Sequence, residues 1–207
     1  MSKITDLTAG TPAGTDPVEF VDVSDTTMAA SGTNKQATAA DYGGLILLET
    51  ITNSTAGEFD FNSLPSVYNR FIIHGNTRGD AATTEESLHL YFNEDLTDST
   101  YHRQHHYGNN NAASASEAST PRIGITTGAS SPTDSYGQIT IVVENPAGSY
   151  LKQAISSMVV YRGTDDLVGG KVSMVSEVTA AITRIRIRTD NHATDQLLGT
   201  LRLYGQM

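Results

Sequence analysis

Three histidines, His102, His105 and His106, lie close together in the segment YHRQHHY. Imidazole is a common zinc ligand, so the first question is whether their spacing suits a metal. In a strand, His102 and His106 share a face but lie about 13 Å apart at about 3.3 Å per residue, too far to hold one ion. The pattern predicts polar surface or interface residues. A metal shared by three chains on a threefold axis remains an open alternative.

Other patterns for catalysis are incomplete. The segment Thr127–Ser131 is the nearest approach to a nucleophile elbow, but it lacks the closing glycine. Acid pairs such as Glu85/Glu86 could serve glycoside cleavage, although adjacent acids in turn-like sequence are usually solvated. The oxygen-rich run Asn93–Asp98 has no glycine at its sixth position and leaves only weak calcium binding open. The sequence contains no glycine-rich nucleotide motif. We therefore expect no enzyme activity and no cofactor.

The elements that carry these residues have the composition of a β protein. The chain has 18 Gly, no Trp and a hydrophobic fraction of only 38% in 207 residues, which favours short strands and many turns. Alternating segments separated by Asn, Asp, Gly and Pro predict strands at about 45–52, 70–76, 87–93, 101–107, 121–126, 137–144, 154–162, 171–178, 182–189 and 198–204. The expected fold is an antiparallel, jelly-roll-like β-sandwich with an extended N-terminal arm, because some connections are long.

The chain divides near residue 44. Residues 1–44 are rich in Thr, Ala, Gly and Asp, and cannot bury enough surface to fold alone, whereas residues 45–207 contain the strand-like segments. Residues 1–60 also carry nine acids against two basic residues. We interpret 1–44 as an anchoring arm, with a purely solvating tail as the alternative. The apolar candidates for anchoring are Ile4, Leu7, Val18, Phe20, Val21 and Val23.

The segment Gly108–Thr120 has no apolar anchor and contains three successive asparagines, which predicts a surface loop. Polar loops on a rigid sheet often carry recognition. The alternative is a loop that nothing constrains. The candidate recognition residues are Asn109, Asn110, Asn111, Ser114, Ser116 and Glu117.

Apolar and basic residues alternate in the last two predicted strands, which predicts that both are half-exposed. On neighbouring strands the arginines would form a basic ladder of like charges. Three roles stay open: blunting the sheet against aggregation, a subunit contact, or capture of an anionic ligand. The candidate interface residues are Arg184, Arg186, Arg188 and Arg202.

The bulk properties exclude several classes of partner. A net charge of −10 argues against nucleic-acid binding, which needs a surplus of Lys and Arg. The chain has no Cys, so disulfides and thiolate chemistry are excluded. It has no run of 18 apolar residues and no apolar core of a signal peptide near Met1. We therefore expect that the protein is synthesised in the cytoplasm and does not insert into a membrane.

Several ordered segments resemble a family of tailed-bacteriophage virion proteins. They are LLETIT at 47–52, EFDFNSLP at 58–65, YNRFII at 68–73, TRGD at 77–80 and LYFN at 90–93, with AITRI at 181–185 and LRLYG at 201–205 near the C-terminus. The upstream segments KITDL at 3–7, GTD at 14–16 and GTNKQATAAD at 32–41 resemble the virion-attachment leader of many phage fibre proteins. The resemblance covers about residues 46–205 and the leader, whereas Tyr101–Ser135 matches no motif of the family.

This resemblance implies a virion structural protein without catalytic residues. It implies a homotrimer with a β-sandwich head, anchored to other virion proteins by its N-terminus and displayed on the particle exterior. The leading expectation is a trimeric fibre or receptor-binding protein that contacts a glycan or protein of the host surface. The alternative is a capsid decoration or head-fibre protein.

Overall fold

The computed structural model describes residues 17–20, 35–38, 44–109, 112–163, 165–191 and 193–207. Within these ranges the chain is all-β, as the composition predicts, with no α-helix and one 3-10 turn at Asp98–Thr100. The predicted boundary at residue 44 is followed directly by the first long strand. Among the described residues, no helix is long and apolar enough to cross a membrane.

Fourteen strands are described. The first two, β1 (Pro17–Phe20) and β2 (Lys35–Thr38), pair antiparallel in a small sheet of their own. The others are β3 (Leu45–Gly57), β4 (Phe59–Phe61), β5 (Arg70–Gly79), β6 (Glu85–Phe92), β7 (Tyr101–Asn109), β8 (Ala112–Ala118), β9 (Arg122–Thr127), β10 (Gly137–Glu144), β11 (Lys152–Gly163), β12 (Asp166–Ser176), β13 (Ile185–Thr189) and β14 (Leu197–Gln206).

These twelve strands form one mixed sheet that consists of two antiparallel runs. The longer run has the order β3-β14-β5-β10-β11-β12-β7-β8, and the shorter has the order β4-β13-β6-β9. A single parallel residue pair, Arg78 with Thr127, joins β5 to β9. The C-terminal strand β14 lies between β3 and β5, so the ten residues before Met207 are built into the sheet.

The apolar core contains buried residues from both runs. Strands β10 and β11 alternate buried and open side chains along their whole length, as strands with one covered face do. The side chain of Ser156 on β11 donates to the Ile123 carbonyl on β9, although these strands are not ladder partners. Gly124 fits here because a Cβ would lie 3.1 Å from the side chains of Ile139 and Met158. The largest fully buried aromatic residues are Tyr101, Phe59, Phe61, Phe71 and Phe92.

The backbones of the paired strands β14 and β5 approach closely at Gly199. Gly199 has a φ of +120°, and a Cβ there would lie 2.2 Å from the Asn76 carbonyl oxygen. Only glycine adopts this conformation without strain, so the residue fixes the entry of β14 into the sheet.

The structure corrects two sequence expectations. The predicted loop at 108–120 is mostly strand in its described residues, because Ala112–Ala118 form β8, which pairs with β7 at the sheet edge from Arg103–Ala118 to Asn109–Ala112. The strand β13 is not half-exposed, since Arg188 is only 7% exposed and lies over the Tyr91 ring. The apolar pattern did not indicate β8, because the strand AASASEA contains no large apolar residue. It did not indicate the burial of β13, because the charged Arg188 is covered by the Tyr91 ring.

Candidate functional site

The β7–β8 hairpin sends two different sets of polar side chains to its two faces. Alternate residues of a strand point to opposite sides, so His102, Gln104 and His106 face solvent. Arg103 and His105 point to the other face, the one shared with the core. The hairpin is the last pair of strands in the longer run, and β8 forms the edge of the described sheet. Both faces are therefore open to a ligand.

The solvent-facing side carries a cleft of about 670 Å³, which we call the edge cleft. It forms because β7 pairs with β12 on one side and β8 on the other, which sets Gln104 between Ser173 and Glu117. Its polar groups are both donors and acceptors, which suits a ligand that carries many hydroxyls. The residues of the solvent face that line the cleft are His102, Gln104, Glu117, Ser119, Ser173 and Val175. Arg103 and its partner Ala118 line it from positions between them, although their side chains belong to the opposite face.

A chain of polar contacts runs through the cleft. The Ser119 Oγ lies 3.3 Å from His102 Nδ1, and His102 Nε2 lies 3.2 Å from Glu177 Oε1. The order serine, histidine, carboxylate is that of a hydrolytic triad. The His102 and Glu177 side chains are however 51% and 58% exposed, so water competes for each contact. The chain can orient a polar ligand, but it lacks the enclosed setting that strengthens a general base.

The opposite face carries a cluster of four residues, Arg103, His105, Tyr107 and Arg122, which we call the arginine cluster. The His105 and Tyr107 rings are stacked, with centroids 4.3 Å apart and an angle of 10° between planes. The guanidinium of Arg122 lies 5.6 Å from the Tyr107 ring centre, and Arg103 contacts His105 Nδ1. The Arg103 Nε also donates to Thr120 Oγ1 at 2.9 Å. The cluster is rigid and cationic.

Burial and like charge act together in this cluster. Burial, and then the neighbouring Arg122, lower the pKa of Arg103. Burial, and then Arg103, lower the pKa of His105, which therefore favours the neutral form that can accept from a guanidinium. Burial raises the pKa of Tyr107. Burial is the largest cause of all three shifts, and the arginine charges add to it for Arg103 and His105 but oppose it for Tyr107.

Histidines of this hairpin do not converge. His102 and His106 face solvent, as the strand spacing predicts, whereas His105 lies on the other face. Among the described residues, no group of three or more His, Asp or Glu side chains is placed to hold a metal ion.

The C-terminal arginines are distributed over two distant parts of the sheet. Strand β13 pairs with β4 and β6, whereas β14 pairs with β3 and β5, so the two strands are not neighbours and no continuous ladder forms. Arg202 on β14 lies on the solvent face, between Thr50 and His74.

Two arginines near β13 find acidic partners within the chain. The Arg184 Nε donates to Asp60 Oδ1 at 2.7 Å, and its terminal nitrogens contact Asp60 and Glu94. The Arg186 Nε lies 3.2 Å from Glu58 Oε1. The hydrogen bond from Arg184 lowers the pKa of Asp60. Acidic partners of Arg184 and Arg186 are thus present within the chain, on β4 and beside it. The interface role of the four arginines stays a prediction.

The proposed anchoring residues lie mainly outside the described part of the chain. Val18 and Phe20 are in β1, where they pair with Ala37 and Lys35. Ile4, Leu7, Val21 and Val23 are outside the described residues, and their role stays a prediction.

The proposed recognition residues are divided between the two faces of the hairpin. Glu117 lines the edge cleft, and Ser116 lies near His105 on the opposite side. Ser114 pairs with Tyr107, and Asn109 ends β7. Asn110 and Asn111 are outside the described residues.

Sequence analysis did not connect Gln104, Ser173 and Glu177. The alternation in YHRQHHY indicates that His102, Gln104 and His106 share a face, but it cannot identify β12 as the neighbouring strand. Pairing between distant segments depends on the register of the whole sheet, which short motifs do not encode.

A row of apolar side chains crosses the solvent face of the longer run. Five residues on five adjacent strands are in register, and each lies next to the following one across a ladder pair: Leu47, Tyr204, Ile72, Val142 and Ile155. Leu47 and Ile155 are 53% and 50% exposed. We call this set the outer apolar row.

No family model, curated protein or solved structure matches this chain. The interpretation of function therefore depends on the geometry of the described residues and on the motifs of the sequence.

Proposed function

We propose that this chain is a non-enzymatic virion structural protein of a tailed bacteriophage, a trimeric fibre or receptor-binding protein anchored by residues 1–44. The motif series of the sequence supports the virion assignment. The observation that carries the binding role is the edge cleft, an open depression on the edge hairpin into which several polar residues are grouped. Its mixture of donors and acceptors fits the hydroxyls of a host surface glycan.

We also propose that the two antiparallel runs pack face to face as a jelly-roll-like sandwich. Contacts between strands that are not ladder partners support this arrangement, such as the Ile125 N–H directed at Met158 Sδ at 3.2 Å. A sandwich presents edge hairpins at its ends, where the edge cleft would be accessible on an assembled particle.

Binding is a better proposal than catalysis for the same residues. A hydrolase would need His102 to act as a base under strong orientation by Glu177, yet both side chains are more than half exposed. Incubation with ester and oligosaccharide substrates is expected to release no acid and no new reducing ends. Release that Ser119→Ala abolishes would contradict a non-enzymatic role.

The outer apolar row supports a homotrimer. An apolar surface that continues across five strands is unusual for a monomer and marks a contact surface. Light scattering on the purified chain should give about three times 22.1 kDa. Ile155→Asp should shift the mass toward the monomer, whereas Ser157→Asp, on the same face of the same strand, should leave the trimer intact. A parent protein that is monomeric would contradict the trimer.

The decisive experiment places the protein on the particle. Immunogold labelling of intact virions should decorate the tail, and labelling of the capsid would instead support a decoration or head-fibre protein.

A second experiment tests the edge cleft. The fluorescently labelled chain should bind host cells, and the double variant Gln104→Ala/Glu117→Ala should bind more weakly. The matched control is His106→Ala, on the same face of β7 but outside the cleft. Equal loss in the control would contradict a role for the cleft.

A further inference from the structure

Two arginines of the arginine cluster lie together without an acidic partner. Arg103 contacts His105, the His105 ring stacks on Tyr107, and the Arg122 guanidinium lies over the same Tyr107 ring, so the two cations flank one stacked pair and repel each other. Burial, and then the charge of Arg122, lower the pKa of Arg103. Within the described residues, neither guanidinium has a carboxylate at ion-pair distance. Other arginines of the chain are satisfied differently, since Arg162 lies 2.8 Å from both Glu85 and Asp166. The cluster is thus a local excess of positive charge in a chain of net charge −10.

A guanidinium cannot relieve this repulsion by losing its proton, because its pKa remains far above neutral pH. The remaining way to lower the electrostatic energy is to bind an anion. The site is also fixed in shape, because Thr120 and His105 hold Arg103 while Tyr107 supports Arg122. Rigid donors lose little conformational entropy when a ligand binds.

The open donors of the cluster suit an oxyanion such as a carboxylate. The Arg103 Nε and one terminal nitrogen are occupied by Thr120 and His105, and its second terminal nitrogen makes no hydrogen bond within the described residues. Two neighbouring guanidinium groups present planar donors that match a carboxylate. On the same face, β8 presents Ser114 and Ser116, both exposed, as partners for hydroxyl groups.

We infer that the arginine cluster binds the carboxylate of an acidic saccharide, with the β8 serines contacting its neighbouring hydroxyls. The open edge of β8 allows a long polymer to continue beyond the site. This inference depends on the proposed receptor-binding role and specifies the chemistry of the receptor. It concerns the face opposite to the edge cleft, so the hairpin would hold the polymer from both sides.

The test uses the full chain and calorimetric titration with oligosaccharides of galacturonate, glucuronate and sialic acid, each beside its methyl ester. The ester keeps the hydroxyls and removes the charge. At least one acid should bind at least about tenfold more tightly than its ester, because a charge-assisted hydrogen bond contributes about 1.5–3 kcal/mol. Arg103→Gln and Arg122→Gln should each weaken that binding by about tenfold. Affinity should also fall as salt is added.

The matched control is Lys171→Gln, which removes one positive charge from the solvent face of β12. It should change the affinity by less than about twofold, because Lys171 pairs with His106 on the solvent face, opposite to the cluster, and an exposed charge there is screened. Binding of none of the three acids, equal binding of acid and ester, or equal loss in the control would overturn the inference. So would an Arg122→Gln variant that only dissociates the oligomer, since a carboxylate of a second copy would then occupy the cluster. Failure of virion labelling would instead contradict the proposed function and leave these titrations unaffected.

Discussion

Arg78 and the arginine cluster show two opposite uses of the same side chain. Arg78 is 7% exposed and donates to four backbone carbonyls, those of Ala129, Ser131, Pro132 and Ser135, at 2.6–3.2 Å. Arg103 and Arg122 are only partly buried and leave donors open. Arg78 uses its donors to stabilise the fold, whereas the fold positions Arg103 and Arg122 with donors that remain open to a ligand. A comparison of partners thus separates a structural cation from a binding cation.

Replacing Arg78 should produce the largest change in stability. Arg78→Gln removes a charge-assisted network that closes the segment 129–135, and the abandoned carbonyls stay partly buried. We expect the free energy of unfolding to fall by about 3 kcal/mol or more. Urea unfolding followed by circular dichroism measures it, with Lys171→Gln as a control that should change by less than about 0.5 kcal/mol. Similar values for the two variants would contradict the assignment of Arg78 to the fold.

Glu86 is an acid without a cationic partner among the described residues. The pKa of Glu86 is raised from its ordinary value of 4.5 to about 7, chiefly by burial and also by the charges of Asp195 and Asp80, against the Ala81 N–H, which lowers it. A carboxylate without a cationic partner can become neutral by binding a proton, whereas an arginine does not become neutral by losing one. The contrast explains why an isolated acid modulates stability while isolated arginines indicate a ligand.

Protonation of Glu86 should make stability depend on pH. Between about pH 4.5 and pH 7 the folded chain holds a proton that the unfolded chain releases, so the free energy of unfolding falls as the pH rises through this window. After allowance for solvent screening, we expect a contribution of about 1–2 kcal/mol. The melting temperature of the parent relative to Glu86→Gln should therefore decrease from about pH 5 to about pH 8. A constant difference across that range would show that Glu86 titrates normally.

The accuracy of the sequence analysis followed the strength of local alternation. Strand β10 begins and ends where QITIVVE and its flanking glycine predict, because one face of it is continuously apolar. Strand β8, with the sequence AASASEA, has no large apolar residue and depends on its ladder with β7. Short β4, only Phe59–Phe61, was missed because three residues give too brief a pattern.

The candidate site was predictable only in part. Glu117 was selected from the polar segment after β7, and it does line the edge cleft. The arginine cluster was not expected, because Arg103 and Arg122 belong to different strands and neither forms a motif. The visible alternation of Arg184 and Arg186 attracted attention instead, although both contact acids of the same chain. A sequence displays cations, but only their neighbours in three dimensions determine whether the charge is compensated.

The smallest effects should distinguish compensated from uncompensated arginines most sharply. Arg162 is 15% exposed and contacts Glu85 and Asp166, each at 2.8 Å, so Arg162→Gln should lower the free energy of unfolding by about 1–2 kcal/mol. Arg122→Gln loses a cation–π contact with Tyr107 but also removes the repulsion from Arg103, and these effects oppose each other.

The net change for Arg122→Gln should therefore stay within about 0.5 kcal/mol of the parent. Urea unfolding of both variants at low and high salt provides the measurement. Added salt should stabilise the parent slightly more than Arg122→Gln, because it screens the repulsion that only the parent retains. If Arg122→Gln were as destabilising as Arg162→Gln, Arg122 would already have its full set of partners within the fold, and the excess charge from which we infer an acidic ligand would not exist.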